Sequence, residues 1–325
     1  MQPSTTSKAS IIIAFIFATL FSSNSFSADK KPQQALRIVD VNALEYGDAW
    51  NGLNGTSKAK LLYQNDSGAF MMYIDFDPGW DAVNKARHFH DFHEWGYVLS
   101  GDFMLYEFVN PMQQKGSLYP MRPGTWMSRP PFSIHGNRPD AMEHQKITTP
   151  SIQLAFIEGG KNYSLDPNNK WYSEEWKNVK QFTQPRFQNT ATTQLMEWED
   201  AHDLPGASVK WLTDDAEDGF RSRLIYVPAG WSHPDGPTKT YFEKAQRLVY
   251  VLFGDLSISS ATESGIDEVA TVHKDYFVEQ PPMSFWGWGE GPLTEKGAMW
   301  LEVTYADATT QRGVGPIEAQ KTITR

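Results

Sequence analysis

The chain has 325 residues, no cysteine, 29 Lys and Arg against 39 Asp and Glu, and a formal net charge of −10. So acidic a surface repels nucleic-acid phosphates and anionic membranes, and no basic run offsets it, which argues against polyanion binding. Disulfides, thiolate ligands and a cysteine nucleophile are excluded outright.

At the N-terminus, Lys8 precedes the apolar run "IIIAFIFATLF" at 11–21 and the small polar residues "SSNSFSAD". Residues 1–27 therefore read as a secretory signal peptide cleaved after Ser27, with Ser25 and Ser27 as the small side chains that the peptidase needs. Eleven apolar residues fall well short of the about 20 required to span a bilayer. The leader carries Lys8 and no acid, so its loss leaves a net charge of −11. The mature chain is expected to be periplasmic or secreted, without stable membrane insertion.

The remaining length suits two domains. In chain order, "AFMMYIDF", "EWGYVLSG", "DFMLYEF" and "SIQLAFIE" read as strands, rich in aromatic and β-branched residues and bounded by Pro-Gly and Asn-Pro turns. A polar connector follows, with at most a short helix at 173–180. "RSRLIYV", "RLVYVLF", "YFVEQ" and "AMWLEVTY" form a second set of strands, and the residues past Ala306 read as a loosely held tail. The twelve tryptophans suit an all-β core, with planar or sugar ligands as the sharper alternative.

The two sets are copies. "YVLSGDFML" from Tyr97 recurs as "YVLFGDLSI" from Tyr250, and "RPPFSIHG" from Arg129 recurs as "QPPMSFWG" from Gln280, at offsets of 153 and 151 residues. "PGW" ending in Trp80 is echoed by "AGW" ending in Trp231. Three matches in one order at nearly one offset mark a tandem duplication.

The first copy carries "RHFHDFHEWGYVLSG" at 87–101. His88 and His90 are two apart, so a strand sends both imidazoles to one face. Glu94 opens the next strand after a turn, and a further strand ending in His135 completes a convergent set. Borderline divalent metals accept imidazole and carboxylate, and four such ligands leave two positions of an octahedron open. By the same alternation His93 faces away. His144, His202, His233 and His273 read as surface histidines. Ala86, Gly96, Val98, Pro131 and Ser133 are expected on the inward face, a small and apolar lining, with Glu107 as the nearest acid. Tyr97, Arg122, Trp126 and Arg129 are close in sequence but unplaced.

The run His88, His90, Glu94, Gly101 resembles the first cupin motif, and the proline-rich stretch ending in His135 resembles the second. The resemblance extends over both copies, with longer loops before His88 and His135 than the family pattern has. It implies an all-β fold of two tandem cupin (double-stranded β-helix, jelly-roll) barrels: residues 28–165 as an N-terminal metal-binding barrel, 166–200 as connector, 201–310 as a degenerate second barrel and 311–325 as tail. It further implies one mononuclear divalent transition metal (iron, manganese, zinc or nickel) on His88, His90, Glu94 and His135, with Glu94 also the candidate catalytic carboxylate. No other cofactor is expected, and a homodimer is common in the superfamily.

Counting from Gly254, Tyr241, Glu243 and Arg247 stand in place of His88, His90 and Glu94, while Trp286 stands in place of His135. That set cannot hold a transition metal. Glu243 is expected to pair with Arg247 and Trp286 to fill the vacated volume, so one metal per chain is predicted. Three functions remain open: an oxygenase acting on a small oxygen-bearing organic molecule, a metal-dependent lyase or isomerase of sugar acids, and a non-catalytic small-molecule or carbohydrate binder.

Overall fold

All eight segments that read as strands are strands, because side chains leaving alternate faces fill a core on one side and meet a second layer on the other. The computed structural model describes residues 35–47, 57–80, 87–136, 147–168, 172, 174–178, 188–215, 220–234, 239–242, 245–262, 265–282, 284–289, 296–305 and 321–324. The first copy comprises β1 (Arg37–Asp40), β2 (Ser57–Gln64), β3 (Phe70–Phe76), β4 (His88–His90), β5 (Glu94–Ser100), β6 (Phe103–Phe108), β7 (Ser117–Met121), β8 (Thr125–Arg129), β9 (Ile134–Gly136), β10 (Ser151–Ile157) and β11 (Asn162–Ser164). The connector contributes a 3-10 turn at Glu174–Asn178 and β12 (Asn189–Thr192). The second copy comprises β13 (Glu199–Asp200), β14 (Ser208–Asp215), β15 (Phe220–Val227), β16 (Lys239–Phe242), β17 (Gln246–Phe253), β18 (Leu256–Thr262), β19 (Gly265–Val272), β20 (Tyr276–Gln280), β21 (Phe285–Trp288), β22 (Ala298–Tyr305) and β23 (Lys321–Thr324).

Each copy is a jelly-roll barrel of two antiparallel sheets. The first barrel sets a sheet ordered β12-β8-β5-β10-β3-β2 against one ordered β11-β4-β9-β6-β7. The second sets β1-β20-β17-β22-β15-β14-β13 against β19-β18-β21-β16-β23. Gly101 and Gly254, equivalent in the repeat, both turn the chain at positive φ, +85° and +73°. A Cβ there would run into the backbone of Ser151 or Gly297, so only glycine fits.

The strand preceding each barrel is donated to the other barrel. β1 pairs with β20 of the second barrel, and β12 pairs with β8 of the first. The two crossings repeat in detail: Val41 N–H donates to Asp275 O and Thr193 N–H to Gly124 O, while Lys60 and Lys210 cap the Val41 and Thr193 carbonyls, each at 2.8 Å. Residues 37–40 thus lie on the second barrel's sheet, although the sequence assigns them to the first. The tail is also less loose than expected, because Lys321–Thr324 pairs with β16.

Between the barrels the two larger sheets share one apolar layer. Trp95, Tyr97, Trp126 and Phe156 of the first barrel pack with Phe220, Leu248, Tyr250, Leu301 and Tyr305 of the second. The Trp95 and Phe220 rings stack with centroids 3.5 Å apart. Each such side chain contributes roughly 1.5–3 kcal/mol on burial, and residues 33–325 form one compact unit. This layer and the second barrel's core take up many of the aromatics as core material, while Trp198 and Trp211 stay exposed.

Candidate metal centre

Alternation along β4 sends His88 and His90 into the first barrel and turns Phe89 outward, where it stacks on Tyr163 with centroids 5.0 Å apart. Antiparallel pairing of β4 with β9 puts His88 opposite His135, and their rings lie 4.3 Å apart. Glu94 enters from the facing sheet as the first residue of β5. Between β8 and β9, Phe132 adopts φ +67° and donates its N–H to His90 O at 2.8 Å. A bulky residue in that region stores about 1–3 kcal/mol of strain, and here it turns the chain so that β9 runs back beside β4.

Ligand atoms of His90, Glu94 and His135 all lie within 4.8 Å of one another, and all three residues are buried. His90 Nε2 is 3.1 Å and His135 Nε2 is 3.8 Å from Glu94 Oε2. Donors about 2.0–2.2 Å from a common ion would lie roughly 3 Å apart when adjacent and roughly 4.2 Å apart when opposed on an octahedron. The Nδ1 of His90 faces Phe92 O at 2.7 Å and that of His135 faces Ser133 O at 3.2 Å. Each Nδ1–H is therefore donated to a carbonyl, which leaves Nε2 as the lone-pair atom aimed at the centre. Lone pairs facing a carboxylate oxygen repel unless a cation lies between them, so the donor set fits a divalent metal. Burial, reinforced by Arg129 and the neighbouring imidazoles, pushes His135 well below the usual histidine range, so it is neutral as a ligand must be. His88 is half-buried against His135 and lines the same cavity. With a metal bound, these residues would supply Lewis-acid activation of a substrate oxygen or redox chemistry, depending on the ion.

Arg129 is the group that sequence reasoning left unplaced. It sits opposite Glu94 in the β5–β8 register, is 2% exposed, and donates Nη1–H to Glu94 Oε2 at 2.5 Å. Its Nε donates to Gln188 Oε1 of the connector at 2.8 Å, so the connector reaches the centre. Position along β8 puts Arg129 on the face of Met127, but only strand register reveals that Glu94 is its partner.

The cavity holds about 210 Å³. Its wall is not the small apolar one expected. Phe70, Phe92, Phe103, Leu105, Met127 and Ile157 form it, with Arg129, Gln153 and Glu158 as polar groups beside the ligands. Gly96, Val98, Pro131 and Ser133 are not part of the wall, because larger side chains on the same faces reach past them; Gly96, for instance, sits directly under Met127. Ala86 lies outside the described residues. Glu107 is buried on the face of Phe103 and Leu105, opposite His135 in register. Burial pushes its carboxyl up, opposed by the Gln188 N–H and Arg129.

His93 faces away as expected, stacked on Trp95 at 5.0 Å and 3.9 Å from Glu158. His202 and His273 are exposed, and His144 lies outside the described residues. His233 departs from expectation. It is buried beside Trp288, with Tyr241 Oη 3.3 Å from its Nδ1, because the turn after Trp231 folds into the second barrel.

In the second barrel, Arg247 gives its ion pair to Glu302, with Nε and Nη2 at 2.8 and 2.5 Å from Oε2. Glu243 lies outside the described residues. Arg223 holds the other oxygen of Glu302 at 2.8 Å. Burial alone would raise the Glu302 carboxyl, but the two guanidiniums outweigh it and hold it at about 2. Trp286 lies under Arg247, its ring 4.3 Å from the guanidinium carbon, and with Trp288 and Trp300 reduces the cavity to about 30 Å³.

No family model and no curated protein matches the chain. Solved structures do. A candidate dioxygenase from Nostoc punctiforme superposes with a TM-score of 0.60 at 14% identity, covering 91% of this chain and 88% of that one. A deletion mutant of oxalate decarboxylase from Bacillus subtilis gives 0.55 at 12% identity over 83% and 77%. AerE from Microcystis aeruginosa gives 0.51 at 13% over 81% and 97%. At such identities the likeness shows the fold alone, two tandem jelly-roll barrels of the kind these structures share.

Proposed function

We propose that the chain is an exported metal-dependent enzyme that binds one divalent transition metal through His88, His90, Glu94 and His135. On this reading it acts as an oxygenase on a small oxygen-bearing organic molecule. The carrying observation is the convergence of two Nε2 atoms, their Nδ1 protons held by carbonyls, on a buried carboxylate oxygen. Arg129 and Gln153 in the cavity favour a substrate with an anionic oxygen, such as a hydroxy acid, a phenolate or an enolised diketone. The wall of phenylalanine and aliphatic side chains excludes water from the rest of it. Elemental analysis of protein from its native compartment, followed by oxygen-consumption screens over small hydroxy acids, phenols and diketones, tests this. About one equivalent of iron or manganese with substrate-dependent oxygen uptake supports it; absence of metal after reconstitution overturns it.

A second reading, a lyase acting on a small or sugar-derived acid without oxygen, is favoured by the same Arg129. It predicts product formation under anaerobic conditions with zinc, nickel or manganese bound. Export is supported by the leader pattern at 1–27, and a mature N-terminus at Ala28 by mass spectrometry is the expected outcome.

A further inference from the structure

Along β10 the side chains of Leu154 and Phe156 face the other barrel, so Gln153, Ala155 and Ile157 face inward. Ile157 lies opposite Glu94 and Gln153 opposite Val98. Gln153 therefore sits four residues, or about 13 Å of strand, beyond the level of Glu94. That is the closed end of the cavity: Ile74 and Val98, its neighbours in register on either side, belong to the apolar cluster that fills the barrel there. The exposed Gly159 and Gly160 mark the mouth at the opposite end.

Gln153 is 4% exposed, and among the described residues its side-chain amide makes no hydrogen bond. The other polar side chains of the wall are the metal ligands, Arg129 beside them, and Glu158 and Asn162 towards the mouth. A buried amide without a partner costs free energy that an apolar side chain would not. The second barrel shows the apolar alternative. There Trp300 holds the equivalent register, opposite Val251, is 1% exposed and helps to fill the interior, leaving about 30 Å³ against about 210 Å³. A water beside Gln153 would meet apolar neighbours on both sides and find few of the two to four partners it needs.

We propose that Gln153 is a specificity-determining residue that takes a neutral hydroxyl or carbonyl group at the far end of the substrate. This assignment rests on the metal-dependent reading above, which puts the substrate's anionic end at the metal and Arg129. An amide both donates and accepts, so either group pairs with it, whereas a second carboxylate would lie uncompensated among apolar side chains. At the about 10–15 Å³ that one water takes, the cavity admits on the order of ten heavy atoms. The substrate class is a single ring or short chain with an anionic oxygen at one end and a neutral oxygen at the other.

Three matched pairs test this: benzoate and para-hydroxybenzoate, butyrate and γ-hydroxybutyrate, hexanoate and ω-hydroxyhexanoate, each titrated calorimetrically into the full chain reconstituted with zinc. The hydroxylated member should bind at least about tenfold tighter in one pair or more. Gln153→Met, which keeps the unbranched shape without the amide, should abolish that preference and leave the affinity for the unsubstituted acid and the zinc content unchanged. Equal affinities in every pair, no binding of any acid, or a preference that survives Gln153→Met overturns the proposal. A preference without bound zinc would sink the metal centre and leave Gln153 its role; about one equivalent of zinc without a preference would do the reverse. If the variant fails to fold, the comparison within pairs on the unmodified chain still decides.

Discussion

The two barrels share strand order, turn glycines and even the lysine that caps each incoming strand, yet their interiors are opposites. In the first, Glu94 faces Arg129 across β5 and β8; at the equivalent register in the second, Arg247 faces Gln280 across β17 and β20. The second barrel's carboxylate has moved one strand over. Glu302 pairs with Val249, where the first barrel pairs the fully buried Ala155 with Gly96. Both interiors keep a guanidinium bound to a carboxylate, but the first sets two imidazoles beside that carboxylate and leaves about 210 Å³ of space, against about 30 Å³ in the second. The lesson is that a barrel's chemistry is decided by a few inward positions while its fold is carried by the outward and turn positions, so one can be lost without the other.

The sharpest way to break this comparison is metal content. Replacing His88 and His90 together with alanine should lower bound metal from about one equivalent per chain to less than a tenth, while Trp286→Phe should leave it unchanged. Two equivalents in the unmodified chain would mean that the second interior also binds metal. The next largest effect lies in the second barrel. Glu302→Ala leaves the buried Arg247 guanidinium without its carboxylate, while Arg223 keeps Asp203, and should cost about 3–5 kcal/mol by urea unfolding. In the metal-loaded protein, Arg129→Met should cost less, because the ion then satisfies Glu94.

Acid sharpens the same contrast. The Glu302 carboxyl is held at about 2 against an ordinary 4.5, so its contribution is complete above about pH 4.5 and is lost as pH falls towards 2. Unfolding free energy should fall over that window by on the order of 3 kcal/mol, and the component should vanish in Glu302→Gln. Smallest are the paired lysines: Lys60→Met and Lys210→Met should each cost about 1–2 kcal/mol, equal within error. A large inequality would show that the two strand exchanges do not carry equal weight.

Much of this molecule is written locally. Strand identity follows from period-two alternation, the duplication from the repeated motifs, the shared face of His88 and His90 from a spacing of two, and the approach of His90 to Glu94 from a spacing of four. Those are short-range facts, since alternate residues on a strand share a face whatever surrounds them. The orientation of the His90 and His135 rings, Nδ1 towards a backbone carbonyl and Nε2 towards the centre, is nearly as local, resting on carbonyls two residues away.

What stayed hidden depends on register between strands distant in sequence. Arg129 meets Glu94 across 35 residues, Arg247 meets Glu302 across 55, and β1 joins a sheet whose other strands begin after residue 198. His233 read as a surface residue because its polar neighbours say nothing of the turn that buries it. The sequence by itself determined eight of the strands, that they come twice, and which copy carries the histidines and glutamate of the candidate site. Only the tertiary structure decided which charges meet, which strand serves which barrel and how much space is left, because those outcomes follow from non-local pairing that no local pattern encodes.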